Sequence, residues 1–225
     1  MISVNGFARH VSIWAQVTPT LEQLVRWFND ERITLGNSVP ARSDPDRHSL
    51  ISETAFLLAQ YDRGSEAEPP AEELENAARS FILNLPRADG VERPLSSWEW
   101  EEVYEIRERI VSYTHWLPDL AFYPSVPGCG VVDRATADII AGTELIEVKA
   151  VTRPFRGSDL RQMLTYIAMY YSSGKRIEKV TLLNPRSSFY ASATLDFIAY
   201  ACGGNSTVEL LQHLVEWMTG LQVSA

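Results

Sequence analysis

Two short runs rich in β-branched residues, Ala137 to Ala141 (ADIIA) and Leu145 to Ala150 (LIEVKA), are separated by Gly142 and Thr143. Runs of this kind joined by a two-residue turn containing glycine predict a β-hairpin. A hairpin fixes which residues face each other, because side chains alternate between the two faces of a strand. This segment therefore constrains the fold of the chain more than any other.

The predicted hairpin brings three ionisable residues together. A two-residue turn pairs Ala141 with Glu144, and three residues further along it makes Asp138 and Glu147 direct cross-strand neighbours. Lys149 lies two residues beyond Glu147, on the same face. Opposed carboxylates repel each other unless a cation lies between them, and Mg²⁺ prefers oxygen ligands. An edge hairpin carrying only a surface Asp–Glu–Lys network is the alternative.

Hydrophobic spacing and capping signals predict a helical first half, residues 1–117, and an α/β second half, residues 118–225. The first half is expected to hold a strand within 1–18, a loop over 36–47 and an acidic linker over 62–71. Its helices are expected from about residue 20 and over 49–61, 71–85 and 97–116. The second half is expected to hold strands at 122–126 and 180–183, and helices at 158–171, 194–201 and 207–221.

Composition narrows the class of protein. The 225 residues are 45% hydrophobic and 22% charged, as in an ordinary soluble globular protein. No run approaches the length of a membrane helix, and the first twenty residues lack the features of a secretory signal. Cys129 and Cys202 are the only cysteines, which indicates a reducing cytoplasm and excludes a four-thiolate cluster. The four histidines form no metal motif, and no phosphate-binding glycine loop follows a strand.

Charge is distributed unevenly along the chain. Residues 149–186 hold eight basic and two acidic residues, a net charge of +6, whereas the rest of the chain carries −15. A positive field beside the hairpin suits a phosphate backbone, so Arg153, Arg156 and Arg161 are candidate nucleic-acid contacts. We expect residues 149–186 to form a continuous positive surface. Five glutamates of the helix at 97–116 are expected to form a solvated acidic face elsewhere.

A helix following the hairpin carries Gln162 and Tyr166, which lie one turn apart on the same face. The set of Asp138, Glu147-Val148-Lys149 and the Gln-x-x-x-Tyr pair, in this order, resembles the PD-(D/E)xK nucleases, in the RecB-like branch that includes uncharacterised bacterial members. The resemblance is best over residues 120–186, and it extends weakly to the segment SLISETAFLLAQY at 49–61.

The resemblance implies a restriction-endonuclease-like core and a role for each matched residue. Asp138, Glu147 and the Val148 carbonyl would bind Mg²⁺ or Mn²⁺, and Lys149 would assist the attacking water. Gln162 and Tyr166 would support the site or the substrate.

The sequence departs from the pattern at three points. Ala137 stands where the proline of the motif is expected. Asp133 competes with Asp138 for the place of the first aspartate. The upstream helical glutamate that often completes such sites is not identifiable, with Glu53 and Glu105 as candidates.

The expected function is metal-dependent hydrolysis of phosphodiester bonds, in DNA, with bacterial defence or repair as a setting suggested by analogy alone. A catalytically inactive scaffold, or a nucleic-acid-binding subunit of a larger complex, is the alternative. An unrelated interaction protein with a chance motif is the third possibility. Partners would be nucleic acid and, in a complex, other proteins; no membrane partner is expected.

Overall fold

A computed structural model describes residues 1–63, 69–83 and 90–221. Within this part of the chain the α-helices are α1 (Val4–Ala8), α2 (Val11–Val17), α3 (Leu21–Asp30), α4 (His48–Arg63), α5 (Ala71–Leu83), α6 (Ser97–Thr114), α7 (Gly157–Ser172), α8 (Leu195–Gly203) and α9 (Thr207–Gly220). The strands are β1 (Ile33–Thr34), β2 (Leu120–Phe122), β3 (Ser125–Val126), β4 (Ala135–Thr136), β5 (Ile139–Ala141), β6 (Glu144–Val148), β7 (Lys179–Asn184) and β8 (Phe189–Thr194). None of the described helices is both long and apolar enough to cross a membrane.

Six of these strands form one mixed sheet in the order β1-β8-β7-β6-β5-β2. Strands β6 and β7 are parallel, since α7 makes the crossover between them, and the other neighbours are antiparallel. Strands β3 and β4 form a separate two-stranded sheet. The expectation of an α/β protein with a mixed central sheet flanked by helices is confirmed.

The sheet separates two hydrophobic clusters, because alternate residues of its strands point to opposite faces. On β6, Leu145 joins the cluster that contains the buried residues of α1–α3 and α7–α9, whereas Ile146 joins the cluster built from α4–α6. Each cluster therefore draws residues from both sides of residue 118. The helical first half does not have a core of its own.

The hairpin register is the predicted one for three of the four expected pairs, whereas Asp138 precedes β5 and the expected pair of Asp138 with Glu147 is not part of the ladder. Ala141 pairs with Glu144, Ile140 with Leu145 and Ile139 with Ile146. Gly142 has a φ of 57°, which a residue with a side chain rarely adopts, and this explains the glycine at the turn. Beyond β6, the Lys149 amide donates to the Leu183 carbonyl at 2.7 Å, so the parallel ladder with β7 continues to the residue after Val148.

The strand predicted within residues 1–18 is wrong, because this segment forms α1 and α2. Ser3 begins α1 by accepting a hydrogen bond from the Gly6 amide at 3.0 Å. The apolar residues Phe7 and Trp14 are fully buried in the cluster that contains α7. Helix α1 packs against α7 and α2 against α9, and this burial outweighed the loose alternation that favoured a strand.

The strand predicted at 122–126 is two strands in different sheets, β2 and β3. Tyr123 has a positive φ of 49° between them, which turns the chain from one sheet to the other. The run predicted as one strand at 137–141 is a strand only over β5, while Ala137 and Asp138 lie between β4 and β5. Strand β8 was not predicted at all, and it pairs along its whole length with β7.

Other element boundaries follow the prediction more closely. Thr194 caps α8 by accepting from the Phe197 amide, and Ser206 and Ser96 begin α9 and α6 with capping boxes. Of the predicted linker at 62–71, residues 62–63 end α4 and residues 69–71 lead into α5, while 64–68 lie outside the described residues. The predicted end of the helix at 71–85 also lies outside them.

The acidic face predicted for the helix at 97–116 is wrong for two of its five glutamates. Glu99 and Glu102 of α6 are buried, and each is matched by a buried arginine. Arg47 donates to Glu99 Oε1 at 2.7 Å, and Arg186 donates to Glu102 Oε2 at 2.7 Å. Arg47 ends a short 3-10 helix, Pro45–Arg47, and Arg186 lies in the turn between β7 and β8, so only the tertiary fold could reveal these pairs.

Candidate active site

Three ionisable side chains converge at one end of the β5–β6 hairpin. Asp138 directly precedes β5, Glu147 lies on β6, and Lys149 directly follows β6. Glu147 and Lys149 share a face of the strand, as predicted, and the Lys149 Nζ donates to Glu147 Oε1 at 2.6 Å. The open end of the hairpin therefore carries a compact Asp–Glu–Lys cluster.

The cluster continues onto α7. Lys149 Nζ also donates to Gln162 Oε1 at 2.9 Å, and Gln162 Nε2 donates to the Tyr166 hydroxyl at 3.2 Å. The two residues lie one turn apart on the face of α7 that packs on the sheet. Four of the predicted site residues thus form one chain of hydrogen bonds from the strand to the helix.

Asp138 is held at the end of the strand by a backbone contact. Its Oδ2 accepts a hydrogen bond from the Val148 amide at 2.7 Å. Burial raises the pKa of Asp138, and the charge of Glu53 adds to this, although Lys149 and the Val148 amide oppose it. The Val148 amide therefore positions the Asp138 carboxylate, but the negative charge of this carboxylate is only partly compensated.

Glu147 is the most deeply buried member of the cluster, with 1% of its surface exposed. Its Oε2 has no hydrogen-bond partner among the residues that the structure describes. Burial and the charge of Asp138 raise the pKa of Glu147 to about 7, although Lys149 opposes the shift. A buried carboxylate oxygen without a donor is costly for a fold, so this atom points to a ligand.

A cleft of about 700 Å³ opens beside the cluster, and Asp138, Val148 and Lys149 line it. Helix α4 supplies the opposite wall, including Glu53, whose carboxylate accepts a hydrogen bond from the Tyr123 hydroxyl. Burial raises the pKa of Glu53 even though this hydrogen bond opposes the shift. Glu53 is thus a third carboxylate at the cleft.

Two alternatives left open by the sequence are placed away from the cleft. Asp133 lies in a segment that pairs with the N-terminus, where its amide donates to the Ile2 carbonyl at 2.9 Å. Neither Asp133 nor Glu105 is among the described residues that line the cleft. Of the candidates, the fold therefore brings Asp138 and Glu53 to Glu147 and Lys149.

The candidate nucleic-acid contacts occupy different environments. Arg153 lines the cleft and forms a bidentate pair with Asp159, at 2.7 and 3.0 Å. Arg156 is exposed at the start of α7, and Arg161 pairs with Glu22 at 3.3 Å. Arg153 and Arg156, which precede α7 in the chain, remain candidates for phosphate contacts.

The continuous positive surface predicted for residues 149–186 is wrong. Arg186 is only 1% exposed and pairs with Glu102, while Arg176 and Lys179 pair with Glu178 and Glu144. Acidic residues from other parts of the chain neutralise much of the charge that the sequence concentrates here. At the cleft too, Lys149 and Arg153 pair with Glu147 and Asp159.

Sequence reasoning missed two residues of the site region. Tyr123, whose hydroxyl donates to Glu53, could not be identified as a site residue from the sequence, because it lies within the segment predicted as a strand. Ser52 lines the cleft from α4, and its hydroxyl is buried without a hydrogen-bond partner among the described residues. Its position in the SLISE segment, next to Glu53, was the available hint.

The oxygen atoms of the cluster offer a donor set for a divalent cation. In the described part of the chain, no three His, Cys, Asp or Glu side chains are grouped as a metal site by themselves. Asp138 and Glu147 with the Val148 carbonyl nevertheless supply only oxygen donors, the type that Mg²⁺ and Mn²⁺ prefer. The partnerless Glu147 Oε2 is the atom that such an ion would satisfy, so the residues present fit the ion.

Comparison with known proteins found no matching family model, no matching curated protein and no matching solved structure.

Proposed function

We propose that this chain is a metal-dependent nuclease of the PD-(D/E)xK type, which hydrolyses phosphodiester bonds in DNA. The observation that carries the proposal is the buried Glu147, whose Oε2 has no hydrogen-bond partner among the described residues. The charges of Asp138 and Lys149 act on the pKa of the same carboxyl in opposite directions. Two neighbouring carboxylates with a lysine beside a cleft match the needs of phosphoryl transfer better than those of a folded core.

The order of elements supports this assignment. Asp138 precedes β5, the Glu-Val-Lys tripeptide ends β6, the Gln–Tyr pair lies on α7, and β7 returns parallel to β6. This order of hairpin, helix and parallel strand is the one expected for the resembled superfamily. The five motif residues gather at one place although they span twenty-nine positions of the chain.

Asp138, Glu147 and the Val148 carbonyl would hold Mg²⁺ or Mn²⁺, with Glu53 as a further carboxylate at the cleft. The bound cation would supply the charge that stabilises the developing phosphate anion. The chain's own contribution is to fix both carboxylates in place: Asp138 through the Val148 amide, and Glu147 through its position on a central strand.

Lys149 is the residue placed to act on the reacting groups. Its ammonium has two acceptors, Glu147 Oε1 and Gln162 Oε1, so Gln162 holds it at the cleft when Glu147 engages a cation. Glu147 and Asp138 raise the pKa of Lys149 although burial opposes the shift, so the side chain stays charged. A fixed positive charge there can orient a water and stabilise phosphate oxygens.

The test is incubation of the purified protein with linear and circular DNA, with Mg²⁺, Mn²⁺ or a chelator. Lys149→Ala is compared with Lys175→Ala, which removes the same charge from an exposed position beside Tyr170. Cation-dependent cleavage that is lost only in Lys149→Ala supports the proposal. Cleavage unaffected by Lys149→Ala, or no cleavage of any nucleic acid, contradicts it.

A non-catalytic scaffold or binding subunit is the second candidate, and one observation favours it. Lys149 is already paired with Glu147, so the site is partly neutralised by its own residues. A scaffold needs no cation, whereas the nuclease does. Titration with Mn²⁺, followed by calorimetry on the wild type and on Asp138→Asn, distinguishes them: binding that Asp138→Asn weakens favours the nuclease.

A further inference from the structure

A second hollow adjoins the cleft. It has a volume of about 310 Å³ and is lined by Arg32, Thr34, Thr152, Arg153, Ser187 and Phe189, among others. Thr152 and Arg153 line both this hollow and the cleft that contains Asp138 and Lys149. The two depressions therefore form one groove that passes over residues 152–153. We call the second depression the Arg32 hollow.

The segment between the two depressions is held by side chains from other elements. The Val151 carbonyl accepts from Asn184 Nδ2 at 2.8 Å and from Ser187 Oγ at 2.9 Å. The Phe155 amide donates to Asn29 Oδ1 at 2.9 Å, and its carbonyl accepts from Asn29 Nδ2 at 3.1 Å. These contacts fix the floor of the groove, which reduces the ordering cost of binding a ligand.

Arg153 marks the boundary between the two depressions. The buried carboxylate of Asp159 accepts hydrogen bonds from both terminal nitrogens of the Arg153 guanidinium. One of these nitrogens also donates to the Pro154 carbonyl at 2.9 Å. The aspartate neutralises most of this charge. Arg153 therefore shapes the groove and contributes little free positive charge to it.

Arg32 differs from Arg153 in charge compensation. It is exposed and lies over the Phe189 ring, with its guanidinium carbon 5.1 Å from the ring centroid. Among the described residues, none of the ion pairs includes Arg32, so no carboxylate neutralises its guanidinium at salt-bridge distance. An aromatic ring positions a guanidinium without neutralising it, and such a group can bind phosphate or stack on a base.

We propose that the Arg32 hollow binds a nucleotide adjoining the scissile phosphate of single-stranded DNA, with Arg32 as its phosphate contact. This rests on the proposed nuclease function. The hollow is at the lower end of the range of roughly 300–1,000 Å³ for sites that enclose one small ligand, so it suits one nucleotide of an unpaired strand better than a duplex. The hydroxyls of Thr34 and Thr152 add neutral donors for sugar or phosphate oxygens.

The test measures binding without cleavage. Anisotropy of a dye-labelled oligothymidine is followed in chelator with the wild type, Arg32→Gln and Arg176→Gln, over a series of salt concentrations. Arg176 is 82% exposed and pairs with Glu178 next to the start of β7, far along the sheet from the site, so its variant removes the same charge elsewhere. Thermal melts check that all three proteins are equally folded.

We expect Arg32→Gln to weaken binding on the order of fivefold and to reduce the salt slope by about 0.7, as for one lost single-strand phosphate contact. Arg176→Gln should bind as the wild type does. Equal effects of the two variants would overturn the inference. Tighter binding of a matched hairpin duplex, or of an RNA oligonucleotide, would overturn the assignment to single-stranded DNA.

Cleavage assays on the same proteins separate this inference from the proposed function. If the wild type binds the single strand through Arg32 but cleaves nothing with Mg²⁺ or Mn²⁺, the groove stands and the nuclease proposal falls. If the wild type cleaves DNA while Arg32→Gln binds and cleaves as Arg176→Gln does, the nuclease proposal stands and the groove assignment falls.

Discussion

Helix α6 and the cleft both contain buried carboxylates, but their electrostatic environments are opposite. On α6, burial opposes ionisation of Glu99, yet hydrogen bonds from Arg47 and Ser96 together outweigh it and lower the pKa of Glu99 to about 2. In the cluster beside the cleft, burial and the charge of Asp138 prevail over Lys149 and raise the pKa of Glu147 to about 7.

The difference lies in how completely each carboxylate is paired. Both oxygens of Glu99 accept hydrogen bonds, Oε1 from Arg47 and Oε2 from the Ser96 amide and hydroxyl. Glu147 has one oxygen paired with Lys149 and one without a partner among the described residues. A fully paired buried carboxylate serves the fold, whereas an incompletely paired one is a position where a ligand can act.

The largest effect is expected from Arg47→Ala, which should reduce the free energy of unfolding by about 3–5 kcal/mol, since it leaves Glu99 buried without its cation. Arg47 also donates to the Arg93 and Pro94 carbonyls, which would lose their donors. Urea unfolding measures the change.

Arg42→Ala is the control for Arg47→Ala. Arg42 pairs with Glu101, and their side chains are 50% and 61% exposed, so the loss should be below about 1 kcal/mol. Similar losses in the two variants would mean that the buried pair contributes no more than a surface pair.

The second effect concerns catalysis. Lys149→Ala should lower the cleavage rate by about 10²–10³-fold, comparable to the loss of one oxyanion donor. The fold should survive, because Glu147 can take up a proton once its cation is removed. Rates from gel assays and melting temperatures from calorimetry are compared with those of Lys175→Ala. A melting temperature that collapses in Lys149→Ala alone would assign the lysine to the fold.

Asp138→Asn should impair the same site differently. A neutral amide is a poorer ligand for Mg²⁺ than a carboxylate, so metal affinity should fall, whereas Lys149→Ala should leave it nearly unchanged. Calorimetric titration with Mn²⁺ provides the comparison. Equal metal affinities in the wild type and Asp138→Asn would remove Asp138 from the ligand set.

The third effect is the acid stability supplied by Glu99. Its folded pKa lies below the ordinary value of 4.5, so its stabilisation is present above that pH and is lost as the pH falls towards about 2. A shift of this size corresponds to about 3 kcal/mol at most. Unfolding free energies measured between these pH values should fall steeply in the wild type and less steeply in Glu99→Gln. Parallel curves would show that Glu99 does not control the acid transition.

The smallest effect is the stabilisation by a bound cation. Because the folded pKa of Glu147 is raised, its protonated carboxyl favours the folded state below pH 4.5, and this contribution is lost as the pH rises through about 7. A bound cation opposes this loss of stability at high pH, because it competes with the proton for the Glu147 carboxylate. At ten times its Kd, Mn²⁺ should add about 1.4 kcal/mol of stability.

Thermal melts at pH 8 and pH 5.5, with and without Mn²⁺, check this expectation. The cation-induced increase in melting temperature should be larger at pH 8, because fewer protons then compete for Glu147. It should be absent from Glu147→Gln. An equal increase at both pH values would mean that the cation binds elsewhere.

Some features could be predicted from residues close together in the chain. The register of the β5–β6 hairpin could be predicted from the two-residue turn at Gly142. The three pairs of the ladder, which include Ile139 and Ile140, were predicted correctly. The shared face of Glu147 and Lys149, and that of Gln162 and Tyr166, follow from the periods of a strand and a helix.

Features that depend on long-range contacts were missed or predicted wrongly. The strand expected within residues 1–18 is helical because Phe7 and Trp14 are buried in the hydrophobic cluster, where α1 packs against α7 and α2 against α9, more than a hundred residues away. Strand β8 was missed since its pairing partner β7, and not its own pattern, defines it.

The sequence by itself determined the local geometry of the candidate site: which of its residues lie on one strand face and which on one helix turn. Only the tertiary structure decided which charges are compensated. The charge of Arg186 is compensated by Glu102, which lies eighty-four positions earlier. Glu53, on α4, lies near enough to Asp138 for its charge to raise the pKa of that carboxyl. The physical reason is that backbone periodicity acts between near neighbours, whereas burial and charge pairing depend on which distant segments the hydrophobic clusters bring together.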